Sequence, residues 1–207
     1  FSREESMIAS YKRDAMKIHI RLGADANGEL RASKIHALVD SGAYAAITPF
    51  TAWRSSIHAM GPYRYEACAV DTDAVYTNNG YAGAFRGFGN SEVCYGIETA
   101  VDELAEKLGI DPIRFRLQNC LRPGDSTAHG QRLGDDVSLT ECLEQVRKLS
   151  DWDAKRAAFP GPRAPFAPGE LRRGIGVAAV FHGMSLGAEG ADAAVGAGPL
   201  GVASIKF

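Results

Sequence analysis

An α+β fold is what this sequence predicts, with strands first and helices after them. Three observations predict it. Residues 15–22 (Ala-Met-Lys-Ile-His-Ile-Arg-Leu) alternate apolar and polar with period two, the pattern of a half-buried strand. Val93, Ile97, Ala100, Val101, Leu104 and Leu108 recur at three and four residues, one face of an amphipathic helix. Two further helix starts follow, and strands succeeded by a separate run of helices is the α+β order.

The strand at 15–22 leads to a turn at Asp25–Gly28, marked by Asn27-Gly28, and residues 30–44 resume a strand-like pattern. Together they predict a hairpin, continuing into a sheet that contains residues 66–77. The helix of residues 91–108 ends at Gly109, suited to a left-handed cap. Asp111-Pro112 supplies an N-cap and first-turn pair for a second helix carrying Ile113, Leu117, Cys120 and Leu121. Ser138-Leu-Thr-Glu141 reads as a capping box opening a third, with Leu139, Leu143 and Val146 on one face. Charges such as Asp102, Glu103, Glu106 and Lys107 read as solvated faces. Residues 159–169 hold four prolines in eleven positions, the composition of a stiff linker. Arg173–Phe181 reads as a buried strand, and the tail 187–207 is Gly/Ala-rich without periodicity.

Composition excludes several functions. Twenty-three basic and 25 acidic residues give a net charge of −2, well mixed, with no basic stripe for nucleic acid. No apolar run approaches a membrane span. The four cysteines (Cys68, Cys94, Cys120, Cys142) stand 22 or more residues apart, so neither a zinc site nor an iron–sulfur cluster is encoded locally. With Cys94, Cys120 and Cys142 on apolar helix faces, they read as reduced core cysteines of a cytoplasmic protein. The five histidines are equally scattered; His58 and His129 have no spacing partner and read as structural.

Residues 83–89, Gly-Ala-Phe-Arg-Gly-Phe-Gly, carry the functional signal. Three glycines surround an arginine that reads as buried and two phenylalanines, between strand and helix. Glycine permits main chain to press against a neighbour. An arginine there can hold an anion, and an aromatic ring can stack on a flat one. Close packing and ligand binding both answer to that pattern.

Ala84–Gly89 resembles the AFRGFG loop of the molybdenum hydroxylases, the xanthine dehydrogenase/aldehyde oxidase family, in their molybdopterin-binding large subunit. Asp40-Ser-Gly-Ala-Tyr44, His58-Ala-Met-Gly-Pro-Tyr-Arg64, the segment Asp102–Pro112, Arg116-Leu-Gln-Asn119 and Pro123-Gly-Asp125 resemble the family too, in its order and at its spacing. The resemblance covers roughly residues 3–150. It implies an internal piece of a longer subunit, in keeping with a start at Phe1 and an end at Ile205-Lys206-Phe207 that reads as an unfinished strand. On that reading residues 1–158 belong to a first molybdopterin-binding domain with a mixed sheet and packed helices. Residues 159–170 are the linker, and 171–207 begin a second such domain.

The resemblance implies a molybdenum–molybdopterin cofactor, as such or as its cytosine dinucleotide. The implied reaction inserts water-derived oxygen into an electron-poor C–H bond of an N-heteroaromatic (purine-like) or aldehyde substrate. A glutamate outside residues 1–207 is the base, and electrons leave through Fe–S clusters and FAD on partner domains or subunits. Arg86 matches the arginine whose main chain approaches the molybdenum centre, with Phe85 and Gly87 beside it on the cofactor. Phe88 matches the ring that contacts an aromatic substrate. Arg54, 32 residues before Arg86, matches an arginine that stabilises charge on the substrate's far oxygen in the xanthine-oxidising members; a surface arginine is the plainer reading. Ser185 falls near a substrate-channel segment. Asn90-Ser91-Glu92 and Tyr81 depart from the family pattern, and Glu92 adds a charge beside the loop. A reductive relative acting on a hydroxybenzoyl thioester and a non-catalytic scaffold are the alternatives. Residues 1–207 by themselves are expected to be catalytically silent.

Overall fold

In a computed structural model, strands β2 (Ala15–Ala24) and β3 (Leu30–Gly42) form the antiparallel hairpin that the alternation predicts, Ile18 opposite Ala37 and Ile20 opposite Ile35. The structure describes residues 1–159, 165, 169–183 and the backbone of 201–206. Strand β4 (Ala67–Tyr76) lies parallel to β3, with Val70 beside Ile35. A parallel neighbour needs a crossover, and helix α2 (Thr48–His58) provides it. Strand β6 (Gly201–Lys206) pairs parallel to β4, so the sheet order is β2-β3-β4-β6. This mixed sheet with packed helices is the α+β fold expected.

Helix α3 (Asn90–Leu108) lays Val93, Ile97, Val101 and Ala105 on the sheet. There they meet Ile35, Val70 and the half-buried Met16, Ile18, Ile20 and Leu22. Gly109 caps it in the left-handed region at φ 67°. Asp111 then accepts from the N–H groups of Ile113 and Arg114 at the start of α4 (Pro112–Asn119), as the Asp-Pro pair predicts. A short helix α1 (Arg3–Ala9) precedes a two-residue strand β1 (Lys12–Arg13), which pairs parallel with β5 (Ala82–Gly83). Helices α5 (Leu139–Leu149) and α6 (Trp152–Ala158) follow α4.

Several expectations need correction. Ser138 precedes α5, but its side chain makes no capping hydrogen bond, because its backbone (φ −118°, ψ 22°) is not the extended conformation that aims the hydroxyl at the helix. Only Leu143 of the α5 stripe is buried; Val146 is exposed. Cys142 is exposed as well, while Cys120 is buried and Cys68 and Cys94 are half-buried. Arg173–Phe181 has no regular secondary structure and joins no described strand, and only Ala179 in it is buried. Asp102 is not simply solvated, since it pairs with the fully buried Arg116 at 2.7 Å. Most of the Pro-rich segment lies outside the described residues, as does Ser185. Among the described residues no helix is long and apolar enough to cross a membrane.

Candidate functional site at the glycine loop

The loop between β5 and α3 takes a backbone that its sequence only half announces. Arg86 (φ 44°), Gly87 (93°), Phe88 (53°) and Gly89 (86°) are four consecutive residues in the left-handed region. A residue with a β-carbon held there costs about 1–3 kcal/mol and persists only where its surroundings enforce it. Arg86 and Phe88 are two such residues.

The enforcement comes from three sides. Gly89 lies against α2, where a β-carbon would stand 2.3 Å from Thr51 O and 2.4 Å from Ser55 Oγ. Ser55 Oγ lies 2.9 Å from Gly89 O. On the second side, Arg13 donates to Arg86 O at 3.0 Å, pairs with Glu92 at 3.0 Å and stands 5.7 Å from the centre of the Phe85 ring. The charge Glu92 brings is thus paired with Arg13 of β1. On the third, buried Asp14 accepts from the hydroxyls of Thr48 and Thr51 at 2.8 Å each, and Thr48 Oγ1 also reaches Ala82 O at 3.2 Å, just before the loop. Desolvation raises the Asp14 pKa despite those hydroxyls.

This packing leaves a row of main-chain donors in the loop without partners. Among the described residues the N–H groups of Phe85, Arg86, Gly87, Phe88 and Gly89 make no hydrogen bond. A row of unsatisfied donors is suited to a group rich in oxygen or sulfur acceptors. The donor set therefore fits a phosphate-bearing, oxo- and sulfur-rich cofactor. Among the described residues no group of three or more His, Cys, Asp or Glu could hold a metal ion.

Arg86 is exposed and has no ion pair among the described residues, which corrects its reading as a buried arginine. The position of its main chain is what the loop fixes. Phe85 is 51% exposed and Phe88 half-buried, so neither ring is core. Arg54, in the second turn of α2, is buried, against its plainer reading as a surface residue. Its Nη2 donates to Gly183 O. The structure thus links Arg54 to the loop through the neighbouring His182, whose Nε2 stands 3.3 Å from Gly87 O. Asn90 donates to Phe181 O at 2.9 Å from the other end of the loop.

Sequence reasoning missed the supporting residues. Asp14, Thr48, Thr51 and Ser55 form no motif, because their partners are main-chain atoms and hydroxyls distant in sequence. Arg13 was missed for the same reason. A cleft of about 360 Å³ beside the loop, lined by Arg13, Met16, Ile18, Ser91, Glu92 and Tyr95, includes none of the predicted site residues.

The family model for the molybdopterin cofactor-binding domain matches residues 1–120. The chain belongs to that family. It is 43% identical over 149 residues to the nicotinate dehydrogenase large molybdopterin subunit of Eubacterium barkeri, covering 71% of this chain and 35% of that one. To the xanthine dehydrogenase molybdenum-binding subunit of Escherichia coli O157:H7 it is 35% identical over 183 residues, 86% of this chain and 23% of the other. The aldehyde oxidoreductase structure from Desulfovibrio desulfuricans superposes with a TM-score of 0.68 at 30% identity, over 76% of this chain and 17% of that one. The chain spans about a quarter to a third of the length of these two curated relatives.

Proposed function

We propose that these residues form part of a molybdenum hydroxylase that oxidises an N-heteroaromatic substrate with water-derived oxygen and passes electrons to Fe–S and flavin partners. The unpartnered amides at Phe85–Gly89 carry the reading, because they offer a row of free donors on a molybdopterin-binding fold. On this reading the main chain of Phe85, Arg86 and Gly87 lies against the molybdenum–molybdopterin group, and Arg86 approaches the metal without ligating it through its side chain. The group, when bound, supplies the redox and oxygen-transfer chemistry. Residues 1–158 belong to a first molybdopterin-binding domain, 159–170 to a linker and 171–207 to the beginning of a second, whose strand β6 adds to the first domain's sheet beside β4.

Phe88 orients a flat substrate ring by stacking, and Arg54 presents positive charge to an oxygen that gains charge during the reaction. Nicotinate and xanthine, in the names of two relatives, are nitrogen heterocycles, which supports this class. The aldehyde oxidoreductase likeness supports aldehydes as the second reading. Losing a contact to transition-state charge costs about 3–4 kcal/mol, roughly two to three decades in rate. In the full-length enzyme Arg54→Met is therefore expected to lower kcat on heterocycles by about a hundredfold or more while KM changes little. Phe88→Ala is expected to raise KM and shift substrate preference, since an aromatic contact contributes about 0.5–1.5 kcal/mol beyond its buried area. Steady-state kinetics on nicotinate, hypoxanthine and benzaldehyde check both. Near-normal heterocycle turnover in Arg54→Met would refute the heterocycle reading and leave the family intact.

A further inference from the structure

The segment 173–183 has no regular secondary structure and joins no described strand, so its main-chain polar groups need partners elsewhere. Those of Ala179, Phe181 and Gly183 find them in side chains. Glu98 Oε2 accepts the Ala179 N–H at 2.7 Å, and the Cys94 thiol lies 3.7 Å from Ala179 O. Asn90 takes Phe181 O. At Gly183 both groups are taken by one helix: Arg54 donates to its carbonyl, and His58, one turn on, lies 3.1 Å from its N–H.

His58 is suited to this task by its two nitrogens. Nδ1 stands 2.8 Å from Arg54 O, a carbonyl that can only accept, so Nδ1 carries the proton. Nε2 is thereby left as an acceptor, aimed at the Gly183 amide. The ring is 3% exposed and sits 5.0 Å from the Phe181 ring and 5.4 Å from His182. Lysine or arginine there would offer no acceptor, and leucine would offer only volume.

We propose that His58 is a positioning residue, its Nε2 holding the Gly183 amide so that residues 179–183 stay seated against the glycine loop. His182 then lies at Gly87 O and Arg54 is fixed where it faces Gly183. His58 acts through these neighbours rather than on substrate. The proposal deepens the functional reading of the same site, but its structural half stands apart from the substrate class.

The test compares full-length holoenzyme carrying His58→Leu, which keeps bulk without an acceptor, with His58→Gln, whose amide oxygen can accept at the place of Nε2. Hydrogen–deuterium exchange of the peptide spanning residues 179–183 is read at pH 7.5. Molybdenum content and kcat are read alongside. In His58→Leu exchange is expected to accelerate at least tenfold and kcat to fall at least tenfold, with KM changing less. His58→Gln is expected to restore both to within about threefold of the parent. Exchange in His58→Leu within twofold of the parent overturns the proposal. Equal impairment of the two variants overturns it as well, because volume alone would then explain the residue. If His58→Leu does not accumulate, His58→Gln and the parent decide: exchange in His58→Gln as fast as in peptides of the exposed helix α1 overturns it, and parent-like exchange supports it. A parent enzyme inactive on heterocycles would sink the substrate reading without touching the exchange result.

Discussion

Removing Glu98 should unfasten two parts of the fold at once, and the size of the effect follows from what the carboxylate holds. Arg116 is fully buried, with Nε 2.9 Å and Nη2 2.8 Å from Glu98 Oε2. The Tyr63 hydroxyl donates to Oε1 at 2.5 Å, and the Ala179 N–H donates to Oε2 at 2.7 Å. Burial, foremost, and the nearby Glu98 charge raise the Tyr63 pKa, so the phenol stays a donor. Glu98→Leu strands a buried guanidinium whose remaining carboxylate, Asp102, is 46% exposed. Breaking a buried pair in this way costs about 3–5 kcal/mol, a large share of the roughly 5–15 kcal/mol typical of a domain. Arg116→Met strands the carboxylate at a similar cost. The double variant removes both charges and leaves two neutral donors, the Tyr63 hydroxyl and the Ala179 N–H, at about 1–3 kcal/mol each. Its destabilisation should therefore fall short of the sum of the singles by about 3 kcal/mol. Urea unfolding of the full-length protein, followed by hydrogen exchange in α3 and α4 peptides, reads all four corners of the cycle. Additivity within about 0.5 kcal/mol would refute the coupling.

Two further outcomes test the loop and its latch. Gly89→Ala places a β-carbon 2.3 Å from Thr51 O at φ 86°, and molybdenum content of the purified full-length enzyme should drop at least tenfold with helix content by circular dichroism retained. Gly109→Ala, also at positive φ but with nothing within 4 Å, is the matched control and should cost about 1 kcal/mol without loss of metal. The second concerns acid. Burial chiefly, with Arg54, His182 and His129 adding positive charge nearby, lowers the His58 pKa to about 4, below an unfolded value of about 6.5. The unfolded chain then binds the proton first, so stability is full above about pH 6.5 and falls as pH drops toward 4. The loss totals about 3 kcal/mol. Thermal midpoints from pH 7.5 to 4.5 should fall less steeply in His58→Gln than in the parent; equal slopes would exclude His58 as the group responsible.

What the sequence makes legible is local. The β2–β3 hairpin follows from period-two alternation and Asn27-Gly28, and α3 from its apolar spacing and the Gly109 cap. Helix α2 is illegible for a physical reason. Its buried residues are Thr48, Thr51, Ala52, Arg54, Ser55, Ser56 and His58, all polar but Ala52, the four hydroxyls satisfied by Asp14, Gly89 O, Thr72 and the helix's own carbonyls. No apolar stripe announces such a helix. The run Arg173–Phe181 misleads in the opposite sense, since its apolar residues suggest a buried strand while its described partners are side chains of α3. In the loop the glycines are readable, but left-handed angles at Arg86 and Phe88 are not, because no residue-type preference points to them.

Those two angles bear on how the loop could work. Without support, Arg86 and Phe88 would relax to φ below zero and re-aim the amides of residues 86–89. The support does not depend on a ligand: Thr51 and Ser55 press on Gly89, Arg13 holds Arg86 O, and Asp14 fixes α2 and the end of β5 through two threonines. A donor row shaped before anything binds loses little free energy to reorganisation when an acceptor-rich group arrives. The side chains that matter most to such a surface are then not the ones displayed on it. They are the buried hydroxyls and carboxylate behind it, where substitution would spoil the geometry of five amides at once.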